Sequence, residues 1–240
     1  MFDRFLKDAR FAFRQLRRHP AFSLLLVLTI YVAVGATVAI FSVLEGIVLR
    51  PLPYPEPDKI LAVWETPDQE NRWYQPFTGP DYLDVREESR TLEEIGLIHL
   101  RFLNLAGEGD PVRLGAGAVT ASLFQVLGMQ PAQGRYFTEE EEFEGAHRVA
   151  VLSHGLWQSQ FGGEEGVVGR QVSIDGEPFQ VIGIMPPDFR APTPWGGQDR
   201  TRIWIPLVLP RDGSGRGSHS FGAYGRMAER VTPAEGEAEL

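Results

Sequence analysis

The residues that could carry out chemistry in this 240-residue chain do not form a recognisable catalytic site. A phosphate-binding loop for ATP needs Gly-x-x-x-x-Gly-Lys-Ser/Thr, and the chain has only Lys7 and Lys59, neither of them in that setting. Its five histidines show no His-x-x-x-His or Glu-x-x-His grouping, so their spacing does not indicate a metal site. We therefore expect no catalytic, cofactor-binding or metal site within the chain.

Two weaker signals have a structural explanation beside the chemical one. Ser153-His154-Gly155 is similar to a serine hydrolase motif, but the nucleophile elbow needs glycine where Val151 stands, so helix capping explains Ser153 better. The adjacent carboxylates Glu139 to Glu142 could bind a cation, whereas Thr138 and Glu141 have the spacing of a capping box at a solvated helix start. The spacing of the other carboxylates neither supports glycosidase chemistry nor excludes it.

The charges are distributed very unevenly along the chain. Residues 1–19 hold six basic side chains against two acidic ones, a local net charge of +4, so the remaining residues carry −13. An acidic body lacks the basic surface that binds phosphate backbones, and we expect no nucleic-acid partner. The absence of cysteine excludes disulfides and thiolate metal sites.

The basic segment precedes an apolar run that is long enough to cross a membrane. Residues 21–44 carry no charge, and as a helix they would rise about 36 Å, against a hydrocarbon core about 30 Å thick. Pro20 is tolerated at a helix start, and the prolines at 51, 53 and 55 end the helix. We therefore predict a transmembrane helix over residues 20–49.

A cleaved signal peptide is the alternative reading of this segment. The apolar run exceeds the roughly 7–15 residues of a signal-peptide core, and no small-residue cleavage site follows it in the right place, so an uncleaved anchor is favoured. The positive-inside rule then places the N-terminus in the cytoplasm and the body outside the cytoplasm.

Two features of this region predict partners. Gly35, Ala36 and Ala39 form a small-residue patch that would let a second helix approach closely, although Gly and Ala are also simply frequent in membrane helices. Residues 1–19 have the spacing of a cytoplasmic amphipathic helix, whose basic side chains would contact anionic lipid or a cytoplasmic partner. The membrane-surface candidates are Arg10, Arg14, Arg17 and Arg18.

The rest of the chain mixes strand and helix patterns without regular alternation, which predicts an α+β fold. Strands are predicted at 60–64, 92–105, 112–119, 148–152, 171–174, 178–184 and 203–209, and from Ala223 onward a strand and a helix start. Helices are predicted from Asp81 to about Ser89, at 121–127 with Thr120 as cap, and up to Phe161 with Ser153 as cap. Asp175-Gly176 predicts a tight hairpin, and Asp212 to Ser220 a mobile loop.

Several runs resemble one known family. They include Arg14 to Ser23 (RQLRRHPAFS), Leu49 to Pro55 (LRPLPYP), Phe124 to Pro131 (FQVLGMQP), Val151 to Trp157 (VLSHGLW) and Asp175 to Pro187 (DGEPFQVIGIMPP). In these runs the chain resembles MacB/FtsX-type ABC transporter permeases, nearest to their large duplicated or orphan subgroup, with residues 50–240 similar to the periplasmic core domain.

The resemblance implies a non-catalytic permease that dimerises, or pairs with a second permease half, and transmits the work of an ATPase to a domain outside the membrane. ATP would then be bound by that partner subunit. Family members carry at least three further spans after the outer domain, so the resemblance also implies that residues 50–240 are an incomplete domain in a fragment. The alternative is a stand-alone anchored binding or scaffold domain.

Overall fold

The computed structural model describes residues 14, 17, 18, 20–44, 54–66, 74–106, 111–194 and 199–239. Contacts divide the chain into two compact units, Met1–Leu52 and Pro53–Leu240. Arg10, most of the predicted basic helix, the end of the predicted span at 45–49 and residues 107–110 between two predicted strands lie outside the described residues.

Helix α1 spans Pro20–Leu44 and is apolar on all sides. Its 25 residues correspond to a length of about 37 Å. Two hydroxyls inside it donate to carbonyl oxygens four residues earlier, Thr29 to Leu25 at 2.8 Å and Thr37 to Ala33 at 2.9 Å, so neither polar group is left unpaired. Among the described residues, Pro20–Ser42 is the one stretch of helix long and apolar enough to span a membrane.

The second unit is built on a nine-stranded mixed sheet. Its strands are β1 (Ile60–Val63), β2 (Leu92–Ala106), β3 (Val112–Val119), β4 (Gln133–Gly134), β5 (Val149–Leu152), β6 (Gln171–Ile174), β7 (Glu177–Ile184), β8 (Thr201–Pro206) and β9 (Gly222–Met227). The helices are α2 (Gly79–Glu88), α3 (Ala121–Leu127), α4 (His154–Phe161) and α5 (Pro233–Glu239), with 3₁₀ turns at Pro57–Lys59 and Glu139–Glu142.

Six strands of the sheet close into a ring. The pairings run from β2 to β3, β8, β5, β7 and β6, and β6 pairs again with the end of β2. Strands β9 and β1 extend the sheet from the other half of β2, with β1 at its edge. The chain therefore enters the body through an edge strand.

Alternation along the strands separates two apolar clusters. In β8, Ile203 and Ile205 belong to the first cluster and Trp204 to the second; in β5, Leu152 belongs to the first and Val151 to the second. Helix α3 packs in the second cluster and is buried along nearly its whole length. Both faces of these strands are therefore covered, which is why β5 reads as a continuous apolar run.

The predicted α+β class is confirmed, with one long apolar helix followed by a strand-rich body. Helix α2 begins at Gly79 rather than Asp81, because Thr78 accepts a hydrogen bond from the Asp81 amide. The Ser153 cap and the Thr138/Glu141 capping box are present. Residues 212–220 form turns in which Arg216 pairs with Asp81, and their mobility stays a prediction.

Two predictions are wrong: Thr120 does not cap α3 through its side chain, and one of the carboxylates of Glu139–Glu142 is not solvated. The Thr120 hydroxyl makes no capping bond; it accepts instead from the Leu97 amide of β2 at 2.9 Å. The Ala121 amide donates to the Glu142 carboxylate at 2.6 Å, and Glu142 is buried. A residue 21 positions away therefore satisfies the start of α3, which local spacing could not show.

Candidate functional site

The entry segment, Tyr54–Lys59, leads the chain into β1, and contacts at its first three residues hold it to the body. It makes a 3₁₀ turn at Pro57–Lys59 and continues directly into β1. Glu56 has a positive φ of 48°, a left-handed conformation that costs free energy outside glycine, and its carboxylate pairs with Lys59 at 2.7 Å. The path of the chain is therefore sharply bent at this point.

Tyr54 anchors the beginning of the entry segment. Its ring is buried in the second apolar cluster, 6.4 Å from the ring of Phe189, and its hydroxyl donates to the Arg190 carbonyl oxygen at 2.5 Å. Burial raises the pKa of the Tyr54 phenol, with smaller contributions from Tyr224 and Asp199. The hydroxyl is therefore a neutral donor at physiological pH.

Arg226 of β9 holds the next two residues, and we call this set of contacts the Arg226 clamp. Its guanidinium is nearly buried; Nε donates to the Val126 carbonyl oxygen of α3 at 2.9 Å and Nη2 donates to the Pro55 carbonyl oxygen at 3.2 Å. Nη1 lies 3.7 Å from the Glu56 carboxylate. One planar cation thus joins the entry segment, β9 and α3, a geometry that the five-donor guanidinium suits and an ammonium does not.

Gly128 makes room for the clamp. It ends α3 with a φ of 62°, and a Cβ at this position would lie 3.0 Å from Arg226 Nη2 and 3.6 Å from Pro55 Cγ. Both the left-handed backbone and the close approach favour glycine here.

The chain leaves β9 beside the entry segment. Strand β9 is antiparallel to β1, with Ile60 opposite Arg226, so the start of β1 and the end of β9 are neighbours. The following helix α5 ends at Glu239, whose carboxylate accepts from the Arg90 amide at 2.9 Å and the Thr91 amide at 2.7 Å. The entry segment and the segment that follows β9 therefore lie at the same end of the paired strands β1 and β9.

The residues that sequence reasoning proposed as sites lie on the first unit. Gly35, Ala36 and Ala39 are exposed on α1, and a Cβ at Gly35 would meet nothing within 4 Å. Arg14, Arg17 and Arg18 are helical and exposed. Their roles in packing and lipid binding stay predictions.

Sequence reasoning missed Arg226. The signal was present, because β9 reads Gly-Ala-Tyr-Gly-Arg-Met, a strand in which one cation stands among small and apolar residues. A charge inside such a strand is stable only when it is paired or hydrogen-bonded, so the pattern itself indicates that Arg226 has partners elsewhere in the fold.

The residues considered for chemistry have structural partners. Ser153 Oγ accepts from the Leu156 amide at 3.1 Å, and the His154 ring lies edge-on to Trp157. Glu139 pairs with Arg86 and Glu141 with Arg135, so two of the four adjacent carboxylates already have cationic partners. Within the described part of the chain, no group of three or more His, Cys, Asp or Glu could hold a metal ion.

The profile of the family described as MacB-like periplasmic core domain matches residues 23–240. The chain belongs to this family. The match covers most of the chain, and the family supplies the periplasmic domain of ABC transporter permeases, so this MacB-like chain is a membrane component of an ABC transporter.

Curated relatives match over shorter stretches. The macrolide export ATP-binding/permease protein MacB of Nitrosomonas europaea is 46% identical over 54 residues, which are 22% of this chain and 8% of that protein. The pyoverdine export ATP-binding/permease protein PvdT of Pseudomonas aeruginosa is 38% identical over 61 residues, 25% of this chain and 9% of that protein. The MacB-like chain thus spans about a tenth of the length of these relatives.

Two solved structures share the fold. The periplasmic region of MacB from Actinobacillus actinomycetemcomitans superposes with a TM-score of 0.54 at 18% identity, over 75% of this chain and 78% of that one. The extracellular domain of the ABC-type transporter YknZ from Gram-positive bacteria gives 0.53 at 13% identity, over 75% and 87%. The arrangement of strands and helices in the body is therefore that of MacB-type outer domains.

Proposed function

We propose that this MacB-like chain is a non-catalytic permease component that couples a partner ATPase to export or other mechanical work outside the cytoplasm. The observation that carries the proposal is the attachment of the entry segment: Tyr54 and the Arg226 clamp join it to the core of the body. A force that reaches the entry segment along the chain would then pass into the core of the body rather than into β1 alone. The domain limits of the proposal are 1–19, 20–49 and 50–240.

ATP is bound in this proposal by a separate subunit. The curated relatives are named ATP-binding/permease proteins, so their names describe both activities in one protein. This chain has no phosphate-binding motif and only two lysines, so the proposal places the ATP site outside these 240 residues.

The proposed location is a bacterial inner or plasma membrane, crossed by α1 with the N-terminus in the cytoplasm. The large apolar side chains of α1 are exposed, and an all-round apolar helix of this length is stable in lipid rather than water. Arg10, Arg14, Arg17 and Arg18 would contact anionic headgroups on the cytoplasmic side.

The patch of Gly35, Ala36 and Ala39 would pack against a second permease helix, either from another copy of this chain or from a second permease half. Small side chains let two helix backbones approach closely, which increases van der Waals contact in lipid.

Affinity purification of the protein from its native membrane tests the coupling proposal. We expect an ATPase subunit to be retained in mild detergent and its hydrolysis rate to change when the permease is present. A matched control replaces residues 1–19 with an uncharged helix. Loss of the ATPase only in the control supports the proposal, and failure of the unmodified protein to retain any ATPase contradicts it.

A further inference from the structure

Strand β1 is attached to the sheet by one neighbour. Within the described residues it pairs only with β9, over the four pairs from Ile60 opposite Arg226 to Val63 opposite Ala223. The chain reaches β1 from the Ile60 end. A load applied through the entry segment and directed away from the sheet would therefore separate the pairs one after another, starting at Ile60, instead of shearing all four at once.

The Arg226 clamp lies at the end where this separation would begin. Arg226 is the partner of Ile60 in the ladder, and its guanidinium reaches past Ile60 to the Pro55 carbonyl oxygen. A load on the entry segment consequently meets the clamp before it meets the first pair of β1. Tyr54, whose hydroxyl is bonded to the Arg190 carbonyl, lies one residue further toward the first span.

The clamp passes this load to a rigid part of the body. The Val126 carbonyl that accepts from Arg226 Nε belongs to α3, where Val126 and Leu127 are fully buried. At the other end of α3 the Ala121 amide is held by the buried Glu142. Helix α3 is therefore fixed at both ends, and its displacement would require repacking of the second apolar cluster.

We propose that Arg226 is a positioning residue that keeps the entry segment and β1 attached under load, so that the body follows the first span. The inference rests on the proposed function, because the load comes from the span. Arg226 delivers that load to α3 and spares the four-pair β1 ladder.

Hydrogen–deuterium exchange of the full chain in detergent micelles tests the clamp. In the variant Arg226→Gln we expect the β1 amides that pair with β9 to exchange about ten-fold faster or more, since a buried charge-assisted hydrogen bond is lost, while amides of β3 and β8 keep their rates. Arg226→Lys keeps the charge without the planar fork and should give an intermediate rate for β1.

Arg202→Gln is the matched control. Arg202 also lies in a strand and donates to a helix carbonyl, that of Gly155 at 3.1 Å, and to Ser159 at 2.7 Å, but it does not contact the entry segment. It should leave β1 exchange unchanged. Arg226→Lys, which keeps a cation in the strand, provides the test if Arg226→Gln does not fold, and β1 exchange as slow as in the wild type would then overturn the inference.

Unchanged β1 exchange in Arg226→Gln would overturn the inference, and so would an equal acceleration over the whole sheet, which would make Arg226 a general stabilising residue. These outcomes are independent of the ATPase. If the unmodified protein retains an ATPase but Arg226→Gln leaves β1 exchange unchanged, the proposed function stands and the clamp is rejected. If Arg226→Gln accelerates β1 exchange selectively but the unmodified protein retains no ATPase, the clamp stands and the proposed function is rejected.

Discussion

Glu142 is a carboxylate held inside the body to complete the start of a helix. It is buried and accepts the Ala121 amide at 2.6 Å. Desolvation by burial raises its pKa above the ordinary value of 4.5, while the bond from Ala121 opposes that rise. Glu139 adds to the rise, and Arg86 and Arg211 oppose it.

The raised pKa predicts a pH dependence of stability. The folded chain binds the proton of Glu142 more tightly than the unfolded chain, so this contribution to stability is complete below pH 4.5 and is lost as the pH rises through the folded pKa. Glu142→Gln keeps an oxygen acceptor but cannot titrate. We therefore expect the free energy of unfolding of the variant to fall less steeply than that of the wild type over this interval.

Chemical unfolding of both proteins at several pH values measures the difference. Glu65, whose pKa burial also raises, contributes a slope of its own, and the subtraction of variant from wild type removes it. Glu65→Gln serves as the control that should alter the slope independently. Identical slopes for the wild type and Glu142→Gln would show that Glu142 titrates in the folded chain as it does in the unfolded one.

Two glycines allow the clamp contact to be separated from backbone strain. Gly128 and Gly162 both end short helices, with φ values of 62° and 61°, but a Cβ at Gly162 would meet nothing within 4 Å. Alanine at Gly162 should cost about 1–2 kcal/mol from the left-handed backbone alone. Alanine at Gly128 should cost about 1–3 kcal/mol more, because it displaces a guanidinium that is fixed by hydrogen bonds.

A double-mutant cycle identifies the source of this excess. In a chain that already carries Arg226→Gln, Gly128→Ala should lose most of its additional cost, while Gly162→Ala should keep the same cost in both backgrounds. Thermal or denaturant unfolding of the five variants and the wild type gives the comparison. An excess at Gly128 that persists without Arg226 would assign it to Pro55 or to the backbone.

Residue identity predicted short-range contacts much better than long-range ones. The Ser153 cap and the Thr138/Glu141 box join residues three apart, so spacing alone was sufficient. The partners of Glu142 and Arg226 are 21 and 100 residues away, for Ala121 and Val126 respectively, and depend on how the sheet brings α3 beside β9. A single sequence therefore shows which residue is unusual but does not show which residue is its partner.

Local sequence patterns predicted the strands and turns reliably. They did not predict the order of the strands in the sheet. Asp175-Gly176 predicted the β6–β7 hairpin, and Asp175 indeed turns the chain with a positive φ of 50°. The parallel pairing of β3 with β8 joins segments about 80 residues apart along the chain, and no local pattern specifies it. The closed ring of six strands follows from such pairings.

Substitutions in helix α1 test whether the small-residue patch is an interface. Gly35→Leu together with Ala39→Leu places two bulky side chains on the small-residue patch and should weaken helix association several-fold or more if that patch is an interface. Val34→Leu with Val38→Leu has the same spacing, one residue toward the N-terminus and thus about 100° around the helix. This control should leave association unchanged.

Cysteine cross-linking in native membranes measures this association, and the chain helps because it has no cysteine of its own. A single cysteine near the end of α1 reports on proximity in each background. Equal cross-linking in both double variants would assign Gly35, Ala36 and Ala39 to ordinary membrane-helix composition rather than to a partner.

The 240-residue sequence combines a basic N-terminal segment with an acidic body, and among the described residues Pro20–Ser42 is the stretch between them that could span a membrane. This distribution bears on topology, because positively charged residues beside the first span are retained in the cytoplasm more strongly than acidic domains are. The same distribution also separates an anchor from a cleaved signal peptide. An anchored chain stays membrane-bound at full length, whereas a cleaved one is shortened by its first segment and released.

A reporter enzyme that is active only outside the cytoplasm, fused after Leu240, tests both points in one chain. We expect an active fusion that sediments with the membrane and has the mass of the uncleaved protein.

Replacing Arg10, Arg14, Arg17 and Arg18 with Gln and inserting three lysines before Pro53 moves the positive bias to the other flank, so the active fraction should fall. Inserting three glutamines at the same position, with the arginines retained, controls for the insertion itself. An active fraction that does not respond to the moved charges would contradict the proposed orientation, and a released, shortened fusion would identify residues 20–44 as a signal sequence.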